Sequence, residues 1–215
     1  MKEQIEFLKK YCKFESYSCY VILAVARKKD NVNITNSQEV TFKEVLYKDE
    51  HIERKYSRIY NTCQNYKNVD GEKLNFYIYL SVNPRDTKKC YWKFVNELMS
   101  IGEELTKDIQ KESQLARLDK RWLSVLMKPE CKFSRNMFML DVDTKDSVKL
   151  ELITYCLIYI SGNKEIWKIE TKNGWHYITP LFNRLKFEEL IKDKKLDNIV
   201  EVKPDDLLFL TRIEK

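Results

Sequence analysis

Two aspartates separated by a single residue, Asp141 and Asp143 in FMLDVD, form the most suggestive chemical spacing in the chain. Side chains at i and i+2 of a strand point to one face about 7 Å apart, so both carboxylates would project together. Such a pair can share Mg²⁺ or Mn²⁺, hard cations that take carboxylate, water and substrate phosphate oxygens. A third carboxylate from a neighbouring strand, Glu201 in NIVEVK, would complete a clamp for two ions. Two ions so held align an attacking hydroxyl and stabilise a leaving pyrophosphate. His176, in NGWH, is a donor for a phosphate oxygen beside that site. The aspartates and the histidine also have plainer readings: a pair capping a strand end and solvated in the following loop, and an ordinary surface or core histidine.

The elements that must position these groups lie in the second half of the chain. NMFMLDVD reads as a strand. DSVKLELITYCLIYI reads as a helix that starts after an N-capping Asp and stops at Ser161-Gly162. EIWKIETK and WHYITPLF are strands joined at Asn173-Gly174, a strong tight-turn signal. KFEELIKDKK is a helix and NIVEVK a strand, followed by LLFLTRI, which the Pro204-Asp205 turn would fold back as a hairpin partner. From Asn136 onward the order is therefore β-α-β-β-α-β with one extra strand, the split βαβ or ferredoxin-like arrangement. In spatial order 4-1-3-2 its helices cover one face. Alternation then puts Phe138, Leu140 and Val142 under the helices, and Asp141, Asp143, His176 and Glu201 on the open face.

The first half reads as a short helix to about Lys13, a buried strand in SCYVILAVARK, a second strand in VTFKEVLYK and a helix from Glu50 to Tyr66. A strand in KLNFYIYLSVNPRD stops at Pro84. A helical tract from Thr87 to Met127 breaks near Gly102 or in KDIQKESQ. The fold class is α+β: an N-terminal α/β lobe over residues 1–130 and a βαββαβ lobe over 131–215, its core spanning about 134–213, forming one compact unit.

Composition removes several alternatives. A hydrophobic content of 43% is enough to build a substantial core. Four scattered glycines, Gly71, Gly102, Gly162 and Gly174, cannot build a glycine-rich phosphate loop, and two histidines cannot form a multi-histidine metal cage. The six cysteines show no C-x-x-C spacing and read as reduced, buried thiols of a cytosolic protein. No apolar run approaches the roughly 20 residues of a membrane span, so no membrane association is expected. The net charge of +6 permits nucleic-acid binding without requiring it.

FMLDVD resembles the h-h-h-D-h-D first motif of the archaeo-eukaryotic primase (primase-polymerase) superfamily. TKNGWHYI is similar to that family's second motif, a small residue, any residue and His, with Gly174 where relatives usually carry Ser. Val200-Glu201 matches the third motif, an acid after an apolar residue, with Asp206 in PDDLLFL as the competing candidate. YIYLSVNPRD is similar to the strand ending in an N-P-R-type turn of plasmid and phage members, which makes Arg85 a candidate for template or phosphate contact. The resemblance runs from about Leu74 to the end. It implies an RRM-like catalytic core and a DNA-directed nucleotidyltransferase using two Mg²⁺ or Mn²⁺ ions held by Asp141, Asp143 and Glu201 or Asp206, with His176 on the triphosphate. It also implies nucleoside triphosphates and a DNA template as partners, a separate helicase or replication protein, and a bacterial or viral-host cytosol.

Basic residues supply further candidates. Lys172 and Lys203 flank the proposed site and, with Gly174 and His176, could meet a triphosphate. Arg117, Lys120 and Arg121 at i, i+3 and i+4 share a helical face that could follow a nucleic-acid backbone. Solvated lysines and a charged solvent face account for them equally well. Tyr77 and Tyr79, on the same side of their strand, either stack on bases or pack between the lobes. A metal-dependent nuclease using the same carboxylates, and a non-catalytic RRM-like single-strand binder, are the competing functions.

Overall fold

A computed structural model of the chain describes residues 1–31, 39–107, 118–133, 137–162 and 166–214. The first half supplies helix α1 (Lys2–Tyr11), strands β1 (Ser18–Ala26) and β2 (Val40–Leu46), helix α2 (Glu50–Asn65), strand β3 (Phe76–Ser81) and the short β4 (Arg85–Asp86). Helices α3 (Thr87–Lys107) and α4 (Leu118–Leu126) follow. The second half runs β5 (Met137–Val142), α5 (Ser147–Ser161), β6 (Trp167–Glu170), β7 (Trp175–Pro180), α6 (Arg184–Asp193), β8 (Val200–Lys203) and β9 (Leu207–Ile213). The architecture is α+β, with two antiparallel sheets.

The first sheet has order β2-β1-β3-β9, with β4 paired to the start of β1. β1 is apolar almost throughout because both of its faces are covered. Tyr20, Ile22 and Ala24 join Leu8 and Tyr11 of α1 and Ile52 and Tyr56 of α2 in the main core. Cys19 and Val21 meet Cys90 of α3 and Val125 and Leu126 of α4 on the other side. A strand buried on two faces loses the polar half of its alternation, which is why SCYVILAVA reads as an unbroken run.

The second sheet has order β6-β7-β5-β8. Renumbered within the lobe this is 2-3-1-4, the strand order that the alternation of elements had indicated. Leu140 and Val142 pack with Ile153, Cys156 and Leu157 of α5 and Phe187 and Ile191 of α6, while Met137, Met139 and Ile178 on the opposite face join the main core. That opposite face is therefore not open along its length. One end only, beyond Met139 and Ile178, is left for chemistry. Helix α5 begins where the Asp146 carboxylate accepts the Val148 and Lys149 N–H groups and ends at Gly162 with φ 69° in the left-handed region.

One expectation needs correction, and two others take definite form. β9 does not fold back on β8; it crosses to the first sheet and pairs with β3, Phe76 opposite Ile213 through Ser81 opposite Leu207. Burial explains the crossing, since Leu208, Leu210 and Ile213 enter the main core. Helix α3 continues through Gly102 to Lys107, because one helical glycine costs only about 1 kcal/mol against the burial of the neighbouring Ile101; most of the alternative break point lies outside the described residues. β6 and β7 form the hairpin that Asn173-Gly174 signalled, its connection running over Thr171 to Gly174 with neither Asn173 nor Gly174 at positive φ.

Candidate nucleotide-binding cleft

β9 brings the two sheets together, and a cleft of about 610 Å³ lies where they meet. Its carboxylate end is built by strand register. Asp141 in β5 stands directly opposite His176 of β7 on one side and Glu201 of β8 on the other. Asp143 follows at the strand end, held by its N–H donating to the Ile199 carbonyl at 2.9 Å. Asp141, Asp143, His176, Lys172 and Lys203 all line the cleft. Gly174 is buried beneath them.

His176 is fixed by the edge strand. The Phe209 N–H donates to its Nδ1 at 3.3 Å, which satisfies a backbone donor of β9 that the sheet leaves unpaired. An imidazole accepting at Nδ1 carries its hydrogen on Nε2, and Nε2 stands 3.5 Å from Asp141 Oδ1. The other oxygen of Asp141 accepts from Lys203 Nζ at 2.8 Å. The His176 ring and then the Lys203 ammonium hold the Asp141 carboxyl well below the usual carboxylate range. Burial opposes the charge on Lys203, yet the Asp141 and Asp206 carboxylates leave its pKa raised. Both groups are thus charged at neutral pH.

Lys203 reaches Glu201 at 3.4 Å and Asp206 at 3.3 Å as well. Of the two candidates for a third acid, Asp206 lines the cleft, while the Glu201 side chain is 72% exposed and does not. Among the described residues no group of three or more His, Cys, Asp or Glu is arranged to hold a metal ion. The all-protein three-carboxylate clamp is accordingly not assembled, because an ammonium stands among its members. The donor set does fit a different kind of site: Mg²⁺ is usually bound by one or two carboxylates and completed by water and substrate phosphates. Asp141 and Asp143 supply such a pair.

The remaining candidates are placed as follows. Arg85 is 2% exposed, and its Nη1 donates to Asp205 Oδ2 at 2.7 Å. It cannot meet a template; it is a latch. Beside it, buried Asn83 accepts from the Met137 N–H at 2.6 Å and donates to the Met137, Pro204 and Asp205 oxygens at 3.1 to 3.2 Å. The N-P-R turn therefore ties the end of β3 to the start of β5 and to the β8–β9 crossing. Lys120 is exposed on α4, Arg121 lies 3.9 Å from Glu97, and Arg117 lies outside the described residues. None of the described members of that group reaches the cleft.

The opposite wall was not foreseen. Arg27, Lys29, Asp30, Tyr77, Tyr79, Phe209 and Arg212 face the carboxylates from the first sheet. Alternation in YIYLS puts Tyr77 and Tyr79 together; Arg27 joins them because β1 pairs with β3, and Arg212 because β9 does. Five cationic and four acidic side chains line the cleft, segregated into a mixed floor and a mainly basic wall. No helix among the described residues is long and apolar enough to cross a membrane. Comparison with protein-family models, curated proteins and solved structures finds no match for this chain.

Proposed function

We propose that the cleft is the active site of a primase-polymerase-like nucleotidyltransferase, which joins nucleoside triphosphates to a primer or initiating nucleotide on DNA. The observation that carries this reading is the convergence of Asp141, Asp143 and a donor-oriented His176 at one end of a cleft whose other wall is basic. The strand order of the second sheet is compatible with an RRM-like core, and Asp141 and His176 lie on β5 and β7, with Asp143 just past the end of β5 and Gly174 just before β7.

The reaction is in-line attack of a 3′-hydroxyl on the α-phosphate, with pyrophosphate leaving. A divalent cation at Asp141 and Asp143, when bound, supplies charge neutralisation and alignment of the phosphates. The chain's own contribution is positioning and electrostatics. Asp141 stays ionised under the His176 and Lys203 contacts. His176 presents an N–H at Nε2 for a phosphate oxygen, in a tautomer set by Phe209. Lys203 offers a positive charge that can turn from the carboxylates to a triphosphate.

Primer extension tests the reading. With Mn²⁺ and dNTPs or NTPs, the wild-type protein lengthens a labelled primer on a DNA template, and Asp141→Asn lowers the rate at least about 100-fold, the scale of losing an electrostatic group from such a site. Shortening of the oligonucleotide without added nucleotides would assign the cleft to a nuclease instead. Lys203 bridging the carboxylates favours a second reading, a single-strand binder without turnover. That reading predicts salt-dependent binding indifferent to EDTA and no extension.

A further inference from the structure

We infer that Arg27 and Arg212, with Lys29, form a phosphate-binding site on the wall of the cleft opposite Asp141 and Asp143. The inference rests on reading the cleft as a nucleotide site. Arg27 follows the last residue of β1, and its guanidinium carbon lies 5.4 Å from the Tyr77 ring centre and 5.2 Å from that of Tyr79. Arg212 of β9 lies 5.4 Å from the same Tyr77 ring. Two guanidinium groups thus converge on one aromatic ring.

Their charges are poorly compensated. Arg27 donates to the Tyr79 hydroxyl, whose pKa is pushed up to about 12, by burial first. That hydroxyl is neutral at physiological pH, and among the described residues no carboxylate lies within ion-pair distance of Arg27 or Lys29. Arg212 reaches Glu214 at 3.0 Å through Nη1, but its Nε is buried without a hydrogen-bond partner. Asp30, which accepts from the Tyr77 hydroxyl at 3.2 Å, is the one acid lining this wall. Three cations against Asp30 on the wall and Glu214 beside Arg212 leave a positive balance, and guanidinium groups suit the bidentate recognition of a phosphate. A protein pays for bringing like charges together, and an anion between them relieves that repulsion.

The phosphate comes either from the backbone of a nucleic-acid strand or from a nucleoside triphosphate. Two titrations in EDTA separate the sources: anisotropy of a labelled oligothymidylate of about twelve nucleotides lacking a terminal phosphate, and of a fluorescent non-hydrolysable triphosphate analogue. Arg27→Gln and Arg212→Gln each weaken one of the two ligands about tenfold, a charge-assisted hydrogen bond's worth, and Arg27→Lys restores part of the loss. A strand as source lowers the magnitude of the salt slope by about 0.7 for each contact removed. A triphosphate as source leaves oligonucleotide binding untouched. The site is refuted if the wild-type protein binds neither ligand, or if the folded double variant binds both as tightly as wild type. Wild-type protein that binds in EDTA yet never extends a primer would overturn the proposed activity and leave this site standing.

Discussion

Replacing Gly174 by alanine tests how the carboxylate end of the cleft is held. The Cβ would overlap the Val142 carbonyl oxygen and stand 2.9 Å from both the Thr144 N and the Val142 carbonyl carbon. All three are backbone atoms, so no side chain can rotate away. Gly174 does not adopt a left-handed φ, and the constraint is therefore space, not torsion. To admit the methyl group, the end of β5 must part from β7 beside the Val142–Trp175 pair, straining the Thr171 N–H to Gly174 carbonyl bond of 2.8 Å. Overpacking of this kind costs about 1–3 kcal/mol, and a weakened hydrogen bond adds about 1 kcal/mol. The expected loss of about 2–4 kcal/mol is read from urea unfolding at constant m, or as a fall in Tm of roughly 5–15 °C. Gly102 is the control, since nothing lies within 4 Å of its Cβ position in α3; Gly102→Ala should stabilise by up to about 1 kcal/mol. A Gly174→Ala protein within about 0.5 kcal/mol of wild type, the range of an ordinary surface change, would refute the close-approach argument.

The remaining predictions concern the groups around the cleft. Asp141 has a folded pKa below its unfolded value of about 3.9. Its contribution is therefore complete above that value and lost as pH falls through the folded one; the stability gap between wild type and Asp141→Asn should stay level from about pH 8 to 5 and close below about pH 4. Asn83→Ala strips the buried Met137 N–H and carbonyl, and the Pro204 carbonyl, of their partner and should cost about 3 kcal/mol in denaturant unfolding. All six cysteines are free and buried, with Cys19 and Cys63 pushed up to about 12 by burial, so a thiol reagent at pH 8 should label none of them until the protein unfolds.

The second lobe was legible because its signals are local. Period-two alternation separated Asp141 from Leu140 and Val142, and Asp146 and Gly162 marked the ends of α5. Neighbouring-strand register then followed from the βαββαβ order, which placed His176 and Glu201 beside Asp141. The partner of β9 was not legible. An apolar strand states that it will be buried but not against what, and the Pro204-Asp205 turn suggested the nearest partner in sequence. What directs β9 to β3 includes a long-range contact, the Val82 N–H to the Asp206 carbonyl at 3.0 Å, together with the Asn83 and Arg85 latch. Arg85 reads in the sequence as a candidate for template or phosphate contact for the same reason: nothing in its neighbours reveals its pairing with Asp205. Of the basic wall, Arg212 arrives with β9 and was hidden with it.

The claim that the cleft binds a nucleotide through Asp141 and Asp143 is tested most directly by diffraction from crystals soaked with Mn²⁺ and a non-hydrolysable triphosphate. The account predicts anomalous manganese density against the Asp141 and Asp143 carboxylates, triphosphate oxygens completing its coordination, and Lys203 drawn from Asp141 towards the phosphates. Nucleotide bound elsewhere, or manganese absent from the cleft while Lys203 keeps its bond to Asp141, would contradict it.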